Sequence, residues 1–234
     1  MQVGDISMRP IAYFRSPFPS KFGIPRQSGL IPRIQGKIVF VPEWRNADAL
    51  RGIEGFDYLW LLWLFSANSH PSKSPLVRPP MLGGNQKVGV FASRSPFRPN
   101  PIGLSSVRIH YVEWSSPSGP VIHVEGADIM DNTPILDIKP YLPYTDSHPE
   151  VRNGFADSVD KRTLPVHIPP SVCEKFSPEA CDMLKETLAL NPCPRYQSEE
   201  GRCYGMPFME YDVRFHLTEK GIQVVDVFPL ANHT

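Results

Sequence analysis

Proline occurs along the whole chain at a frequency that limits which folds the chain can adopt. The 234 residues include 27 prolines, which are scattered and not gathered in one tract. This is about double the usual proline content of globular proteins. Because proline fixes φ and lacks a backbone N–H, it breaks the interior of helices. Long helices are therefore disfavoured over most of the chain, and we expect a mainly β protein with many loops.

Length and composition fit a globular protein with one large domain and a smaller second unit. The apolar share of 41% is too high for a wholly disordered chain. The longest apolar run, Tyr58–Phe65, has eight residues, whereas a membrane-spanning helix needs roughly 20. The first residues also lack the basic and apolar stretches of a secretory signal, so a cytoplasmic location is expected.

Cysteine and histidine spacing argues against a metal site. No Cys-x-x-Cys pair is present, so neither a zinc ribbon nor a redox dithiol is encoded locally. The histidines are scattered and show no spacing typical of metal ligands. We therefore expect no bound metal and four free structural thiols: Cys173, Cys181, Cys193 and Cys203.

The net charge of zero hides a strong asymmetry along the chain. Residues 1–110 contain 14 lysines and arginines against five acidic residues, a net charge of +9, and the remainder carries −9. Most of those cations are arginine, whose planar guanidinium pairs with phosphate and stacks on nucleobases. The pattern favours a nucleic-acid partner for the first half. Attraction between the two halves or between subunits, or binding of a small anion, would explain it as well.

Short apolar and alternating segments predict about six strands bounded by proline and glycine clusters. The alternation is clearest in Leu104–Tyr111, and the turn residues that follow join it to Val121–Glu125 as an antiparallel hairpin. No regular helix separates the strands, which favours a β-barrel or sandwich. The other predicted strands are Ile11–Tyr13, Ile38–Val41, Tyr58–Phe65 and Lys87–Ala92.

Helix signals are confined to two places. A short helix is expected at Asn46–Ile53, and the clearest one at Ser177–Leu190, which has a serine N-cap and a proline in its first turn. The alternating segments Tyr211–Leu217 and Ile222–Phe228 then predict a hairpin that packs on the second helix.

The sequence pattern changes after about residue 144, where apolar periodicity is lost and turn residues accumulate. We therefore expect a β-barrel domain over residues 1–145, a linker over residues 146–165 and a small α+β domain over residues 166–234.

The densest functional signal is the segment Val77–Leu104, which combines prolines, glycines and the cations Arg78, Arg94 and Arg98. Such a segment can form a rigid, sharply turning loop, including a turn at Gly83–Asn85, with backbone amides available to a ligand. It contains no dinucleotide-binding or phosphate-loop pattern. The alternative is a proline-stiffened corner of the barrel.

Two further segments carry candidate binding groups. Phe22–Leu30 places Arg26 and Gln27 between rigid residues, which suits recognition of a carboxylate and an amine, although an ordinary surface loop is equally compatible. Gly126–Tyr141 presents three carboxylates and a lysine that could hold ribose hydroxyls or accept a proton. They could equally form a turn and an ion pair on one strand face.

Five strings in this sequence resemble the TrmO family, also known as the YaeB/VirR or TsaA-like proteins. The resemblance covers most of residues 9–144, and a later segment is similar to the small C-terminal domain of proteobacterial members. The strings are FGIPRQSGL (22–30), ADALRGIEGF (47–56), VRPPMLGGN (77–85), GVFASRSPFRPNPIGLS (89–105) and DNTPILDIKPYLPY (131–144).

The resemblance implies a single-sheeted antiparallel β-barrel, a homodimer and S-adenosylmethionine as cofactor. Members of the family methylate the exocyclic N6 amine of threonylcarbamoyladenosine next to the anticodon of threonine tRNA. A non-catalytic RNA-binding barrel and a barrel enzyme acting on a small anionic metabolite are the competing interpretations.

The resemblance also implies site residues. Family members often have a histidine after the third strand, where this chain has Ser66 and Ala67, which leaves backbone contacts at that position. Asn100 and Asp137 are the predicted catalytic residues, and Arg98, Lys139 and Tyr141 are predicted to bind substrate. The implied cofactor site comprises Pro25, Arg26, Gln27, Ser66, Ala67, Arg94, Leu104, Gly126, Ala127 and Asp128.

Methyl transfer explains the lack of nucleophile and metal motifs. A sulfonium methyl is already activated, so the enzyme has mainly to align the reacting atoms and exclude water. The adenine amine loses a proton during or after attack. Asp137, or a backbone carbonyl near Asn100, is the predicted acceptor.

Overall fold

The structure is a computed structural model that describes residues 6–68, 74–82, 86–158, 162–193 and 201–230. The predicted turn at Gly83–Asn85 lies outside the described residues. Within the described ranges, no helix is both long and apolar enough to cross a bilayer.

The first part of the chain forms a closed antiparallel barrel, which confirms the predicted fold class. In chain order the strands are β1 (Ala12–Arg15), β2 (Gln35–Phe40), β3 (Tyr58–Leu64), β4 (Leu76–Val77), β5 (Val88–Gly89), β6 (Ile102–Ser116), β7 (Gly119–Glu125) and β8 (Thr133–Pro140). Going round the barrel, the order of its strands is β1, β2, β7, β6, β3, β8. A separate pair, β4 and β5, lies outside it.

Alternation along the strands fills the barrel. In β3 the side chains of Leu59, Leu61 and Trp63 point inward and are buried, whereas their neighbours face outward. A branched or aromatic residue at every second position is what one face of a pleated strand can pack. The predicted hairpin of β6 and β7 is confirmed, with two register shifts along it.

Two local predictions need correction, and an open alternative is decided. The predicted strand Lys87–Ala92 is reduced to the two residues of β5, followed by a 3-10 turn at Val90–Ala92. The predicted helix at Asn46–Ile53 is a pair of 3-10 turns, although Asn46 does cap the first by accepting from the backbone N–H of Asp48. In the Gly126–Tyr141 segment the structure agrees with the second alternative, a turn at Asn132, with a φ of 58°, followed by a strand, β8, which closes the barrel.

The C-terminal unit packs helices on a small sheet. The short helix α1 (Pro143–Asp146) is not part of it, because it follows β8 and contacts the barrel, where the indole N–H of Trp60 donates to Asp146 at 2.8 Å. The C-terminal unit contains the helices α2 (Pro170–Cys173) and α3 (Pro178–Ala189). Its strands are β9 (Val166–His167), β10 (Cys203–Phe208), β11 (Tyr211–Thr218) and β12 (Gly221–Pro229). The predicted helix and the β11–β12 hairpin are confirmed, and Ser177 caps α3 by accepting from the N–H of Ala180 at 3.2 Å. The apolar side of α3 is buried against the sheet.

The expectation of four free thiols was wrong. Cys173 and Cys181 form a disulfide, and their Cα atoms are 5.6 Å apart. Cys173 ends α2 and Cys181 lies in the first turn of α3, so the short connection between the helices brings them together. Cys193 and Cys203 are free, and burial raises the pKa of Cys193 to about 11, which keeps it a neutral thiol.

The long loop between β1 and β2 belongs to the core of the C-terminal unit. Phe18, Ile31 and Ile34 of this loop are buried in one cluster with residues of α3 and the small sheet. Arg33 pairs with Asp182 and Glu186 on α3, at 3.1 and 2.8 Å. The β1–β2 loop and the C-terminal unit therefore share one hydrophobic core, and the barrel interior forms a second one.

Candidate active site

A cleft of about 460 Å³ opens at one end of the barrel. At this end β3 and β7 finish and β6 and β8 begin, as the antiparallel registers require. Four connections from different parts of the sequence therefore meet around one opening. This volume lies within the range of small-molecule sites, roughly 300–1,000 Å³.

Most of the predicted site residues line this cleft. They come from the β1–β2 loop, the segment after β3, the segment before β6, the start of β6 and the segment after β7. The predicted residues in the lining are Pro25, Arg26, Gln27, Ser66, Ala67, Arg94, Arg98, Leu104 and Asp128.

Gly126 and Ala127 are buried behind the cleft and do not line it. Gly126 has a φ of 76°, a left-handed conformation that favours glycine. Its N–H donates to the carbonyl of Ile34, and its carbonyl accepts from the N–H of Gly29, both at 2.8 Å. The two residues thus attach the β1–β2 loop to the barrel and place Asp128 in the cleft.

Asp128 is the acidic residue among the described residues that line the cleft. The hydroxyl of Ser105 donates to its carboxylate at 2.5 Å, and the indole N–H of Trp63 donates to the Ser105 oxygen at 3.0 Å. Burial raises the pKa of Asp128 above its ordinary value, while the Ser105 hydrogen bond and the positive charge of Arg94 act in the opposite direction. The result is a fixed carboxylate at the inner wall of the cleft.

Arginine and amide groups are connected across the mouth of the cleft. The guanidinium of Arg94 donates to the side-chain oxygen of Gln27, and the Gln27 amide donates to the carbonyl of Arg26 at 2.5 Å. Arg26 in turn donates to the carbonyl of Asn191, in the C-terminal unit, at 3.4 Å. These contacts hold two cations beside one opening, where an anionic group of a ligand can pair with them.

Four further predicted residues lie outside the cleft: Asn100, Asp137 and Lys139 of β8, and Tyr141, which directly follows β8. Asn100 is exposed, and its carbonyl accepts from the N–H of Ile102 at 2.7 Å. Asp137 and Lys139 form an ion pair at 2.8 Å on the outer face of β8, and the ring of Tyr141 packs 5.3 Å from that of Trp60.

The outer face of the barrel nevertheless connects Asp137 with the cleft. Leu104, which lines the cleft, pairs with Leu62 on β3, and Leu62 pairs on its other side with Asp137. Strands are roughly 4.8 Å apart, so Asp137 lies about two strand spacings from the cleft wall, on the same outer face as Leu104.

Several cleft residues were not predicted from the sequence. Phe65 and Met130 form part of the apolar wall, and Asn68 has a buried side-chain N–H group with no hydrogen-bond partner in the described structure. The Asn68 oxygen accepts from Lys21 at 2.5 Å. Ser105 had a sequence signal, because it is a polar residue at an inward position of an alternating strand. An inward polar side chain needs a polar partner.

The described residues contain no group of histidine, cysteine and acidic side chains able to hold a metal ion. The cleft offers apolar walls, one carboxylate, three arginines, a lysine and an unpaired amide donor. This set fits a ligand with a flat apolar ring, hydroxyl groups and a carboxylate. S-adenosylmethionine has all of these.

Comparison with known proteins agrees with this geometry. A family model for the tRNA-methyltransferase O N-terminal domain matches residues 13–147, and one for the TrmO C-terminal domain matches residues 162–230. The chain is 37% identical to a tRNA (adenine(37)-N6)-methyltransferase of Escherichia coli, over 97% of this chain and 100% of the relative. It is 39% identical over 152 residues to a Pyrococcus abyssi relative named "Probable S-adenosyl-L-methionine-binding protein", covering 65% of this chain and 77% of the relative.

A solved structure shows the same fold over almost the whole chain. The crystal structure of TrmO from Pseudomonas aeruginosa superposes with a TM-score of 0.78 and 32% identity, covering 98% of this chain and 99% of that one. Family models, a full-length relative and a structural neighbour all agree with the predicted resemblance. The chain therefore belongs to the tRNA-methyltransferase O family.

Proposed function

We propose that this protein transfers a methyl group from S-adenosylmethionine to the N6 amine of threonylcarbamoyladenosine next to the anticodon of threonine tRNA. The observation that carries the proposal is the cleft at the barrel end, where residues implied by the family resemblance meet around one opening. The full-length relative named as a tRNA (adenine(37)-N6)-methyltransferase supports the reaction type. A tRNA substrate also supports the expected cytoplasmic location, and the homodimer is carried over from the family resemblance.

The chemistry of each cleft residue suits a different part of the cofactor. Arg26 and Arg94 suit the carboxylate of the methionine part, and Asp128 suits the ribose hydroxyls or the ammonium group. Gln27 and the backbone of Ser66 and Ala67 offer neutral hydrogen bonds, while Leu104 gives an apolar contact. When bound, S-adenosylmethionine supplies a methyl group on a positively charged sulfur.

The protein's own part in catalysis is alignment and proton removal. Apolar residues such as Phe65 exclude water from the cleft, which favours direct contact between the reacting groups. The amine of the target base must lose a proton, and the outer face between Leu104 and Asp137 gives the base a route to a carboxylate. We propose Asp137 as the proton acceptor, while the carbonyl of Asn100 offers the amine a hydrogen-bond acceptor near the cleft.

The substrate side is proposed to extend from the cleft onto β8. Arg98 lines the cleft, and its guanidinium donates to the carbonyl of Ser93 at 3.1 Å, which fixes its direction. Lys139 and Tyr141 lie on the outer face near Asp137. A cation and an aromatic ring at these positions suit the carboxylate of the threonylcarbamoyl group and a neighbouring base.

The test is methyl transfer by the purified protein. Threonine tRNA that carries threonylcarbamoyladenosine should accept labelled methyl groups from S-adenosylmethionine, and the same transcript without the modification is the control. Nucleoside mass spectrometry should locate the methyl on the modified adenosine. Binding of tRNA without cofactor binding or methyl transfer would favour a non-catalytic RNA-binding barrel. Failure of tRNA to compete for the site would favour a small-metabolite enzyme.

A further inference from the structure

A second cleft, of about 420 Å³, lies beside the first and shares no lining residue with it. It is formed by the β4–β5 pair and the segment that precedes β6. Two serines, three apolar residues, an aromatic ring and two cations surround it. Its lining consists of Ser74, Pro75, Leu76, Val77, Arg78, Lys87, Ser95 and Phe97.

One stretch of chain, Ser93–Arg98, forms the wall between the two clefts. Residues 93, 94, 96 and 98 line the first cleft, whereas Ser95 and Phe97 line the second. Local hydrogen bonds fix this stretch: the hydroxyl of Ser95 accepts from the N–H of Phe97 at 3.2 Å. A group in the second cleft is therefore one chain thickness away from the predicted methyl-transfer site.

The charged residues in the described lining of the second cleft are all positive. Residues 58–112 contain no aspartate or glutamate at all. The second cleft itself contributes Arg78 and Lys87, both exposed, with no acidic residue in its described lining. The six lysines and arginines of residues 58–112 are Lys73, Arg78, Lys87, Arg94, Arg98 and Arg108.

The aromatic ring in this cleft is open to solvent. Phe97 is 56% exposed, although a phenylalanine without a partner gains most by burial. Exposed rings beside cations are the pattern by which proteins hold single-stranded RNA, because bases stack on the ring and phosphates pair with the cations. An isolated small anion would use the cations and leave the ring without a role.

We propose that the second cleft binds a nucleotide that neighbours the target adenosine in the single-stranded anticodon loop. Its base stacks on Phe97 and its phosphate pairs with Arg78 and Lys87. The wall Ser93–Arg98 then lies between this nucleotide and the base that enters the first cleft, and it fixes the distance between them. This inference rests on the proposed function, since it assigns a second subsite to the same RNA substrate.

The test compares matched variants of the full-length protein. Phe97→Ala should raise KM for modified tRNA by about tenfold, with an unchanged Kd for S-adenosylmethionine by calorimetry. The double variant Arg78→Ala/Lys87→Ala should weaken tRNA binding. It should also reduce the slope of log Kd against log salt concentration by about one to two units. Phe91→Ala is the matched control, because Phe91 is 80% exposed on a nearby turn and lines neither cleft.

A photoreactive benzophenone side chain at position 97 gives an independent readout that needs no catalysis. It should crosslink to a nucleotide adjacent to the target adenosine, and the same group at position 91 should not. If the wild-type protein methylates tRNA while the Phe97 and Arg78/Lys87 variants behave like Phe91→Ala, the second subsite is wrong and the proposed function stands. If the wild-type protein transfers no methyl, the proposed function fails. Binding of tRNA and crosslinking by the same variants still show whether the second cleft binds a nucleotide.

Discussion

The hydroxyl of Ser105 donates a hydrogen bond of 2.5 Å to the carboxylate of Asp128 at the inner wall of the cleft. Ser105 is itself fixed by the indole N–H of Trp63. The barrel interior thus supplies a polar chain of three side chains that ends at the candidate cofactor site. A group held in this way needs no reorganisation when a ligand binds, which is how preorganised sites gain affinity.

Replacing Ser105 with alanine should remove both of its hydrogen bonds, the one from Trp63 and the one to Asp128. The Trp63 N–H would lose its partner inside the protein, at a cost of about 1–3 kcal/mol in the free energy of unfolding. Asp128 would lose a hydrogen bond that lowers its pKa, so cofactor affinity should start to fall at a higher pH as the solution is acidified. Urea unfolding and calorimetry over a pH series measure the two effects. Ser106→Ala, on the outward face, is the control and should show neither.

Asp128→Asn should weaken cofactor binding and change how stability depends on pH. Because burial raises the pKa of Asp128, the folded state holds this proton more tightly than the unfolded state does. Between the ordinary and the raised pKa the folded state binds more protons, so this residue's contribution lowers the free energy of unfolding as the pH rises. The melting temperature of the variant relative to wild type should therefore increase from acidic to neutral pH. A difference that stays constant with pH would contradict the assignment of a raised pKa.

Arg26→Ala and Arg94→Ala should each weaken binding of S-adenosylmethionine by about tenfold, since each removes a charged hydrogen-bond donor beside the cleft. Both side chains are at the surface, so circular dichroism should show an unchanged fold. Arg51→Ala is a suitable control, because Arg51 pairs with Asp48 on a distant turn. Wild-type affinity in both cleft variants would remove the arginines from the cofactor site.

Asp137→Asn should lower kcat more than it changes the affinity for cofactor. The carboxylate lies outside the first cleft, so the amide should leave cofactor binding intact while removing the proposed proton acceptor. Single-turnover kinetics with modified tRNA, beside a calorimetric titration, separates the two. Unchanged turnover in this variant, together with a loss of kcat in Asp128→Asn, would transfer the role to Asp128.

The sequence predicted the elements whose signals are local. The alternation in β6, the capping serine of α3 and the hairpin of the C-terminal unit each depend on a few neighbouring residues, and each is confirmed. For β8 the sequence left two interpretations open, ligand-binding groups or an ion pair on a strand face, because carboxylates and prolines are also typical of loops. It becomes a strand because it pairs with both β1 and β3 and closes the barrel.

The candidate site also depends on contacts between residues that are far apart in the sequence. Arg26, Arg94 and Asp128 come together only because distant segments meet at one end of the barrel, and the family resemblance implied this where periodicity could not. The Ser105–Asp128 hydrogen bond spans 23 positions, and the Cys173–Cys181 disulfide depends on a turn between two helices. The pattern of β6 indicates that Ser105 needs a polar partner but does not identify Asp128, and the disulfide has no local pattern that would reveal it.

The hydrophobic core that the β1–β2 loop shares with the C-terminal unit has a consequence for how this protein can be shortened. The segment carrying Pro25, Arg26 and Gln27 is anchored at Phe18 and Ile34 by side chains that α3 and the small sheet cover. Cutting the chain after the barrel would uncover these anchors and release the loop, even though every barrel strand would be retained. The C-terminal unit is thus a scaffold for the mouth of the cleft, and deleting it is expected to cost ligand affinity before it costs the barrel.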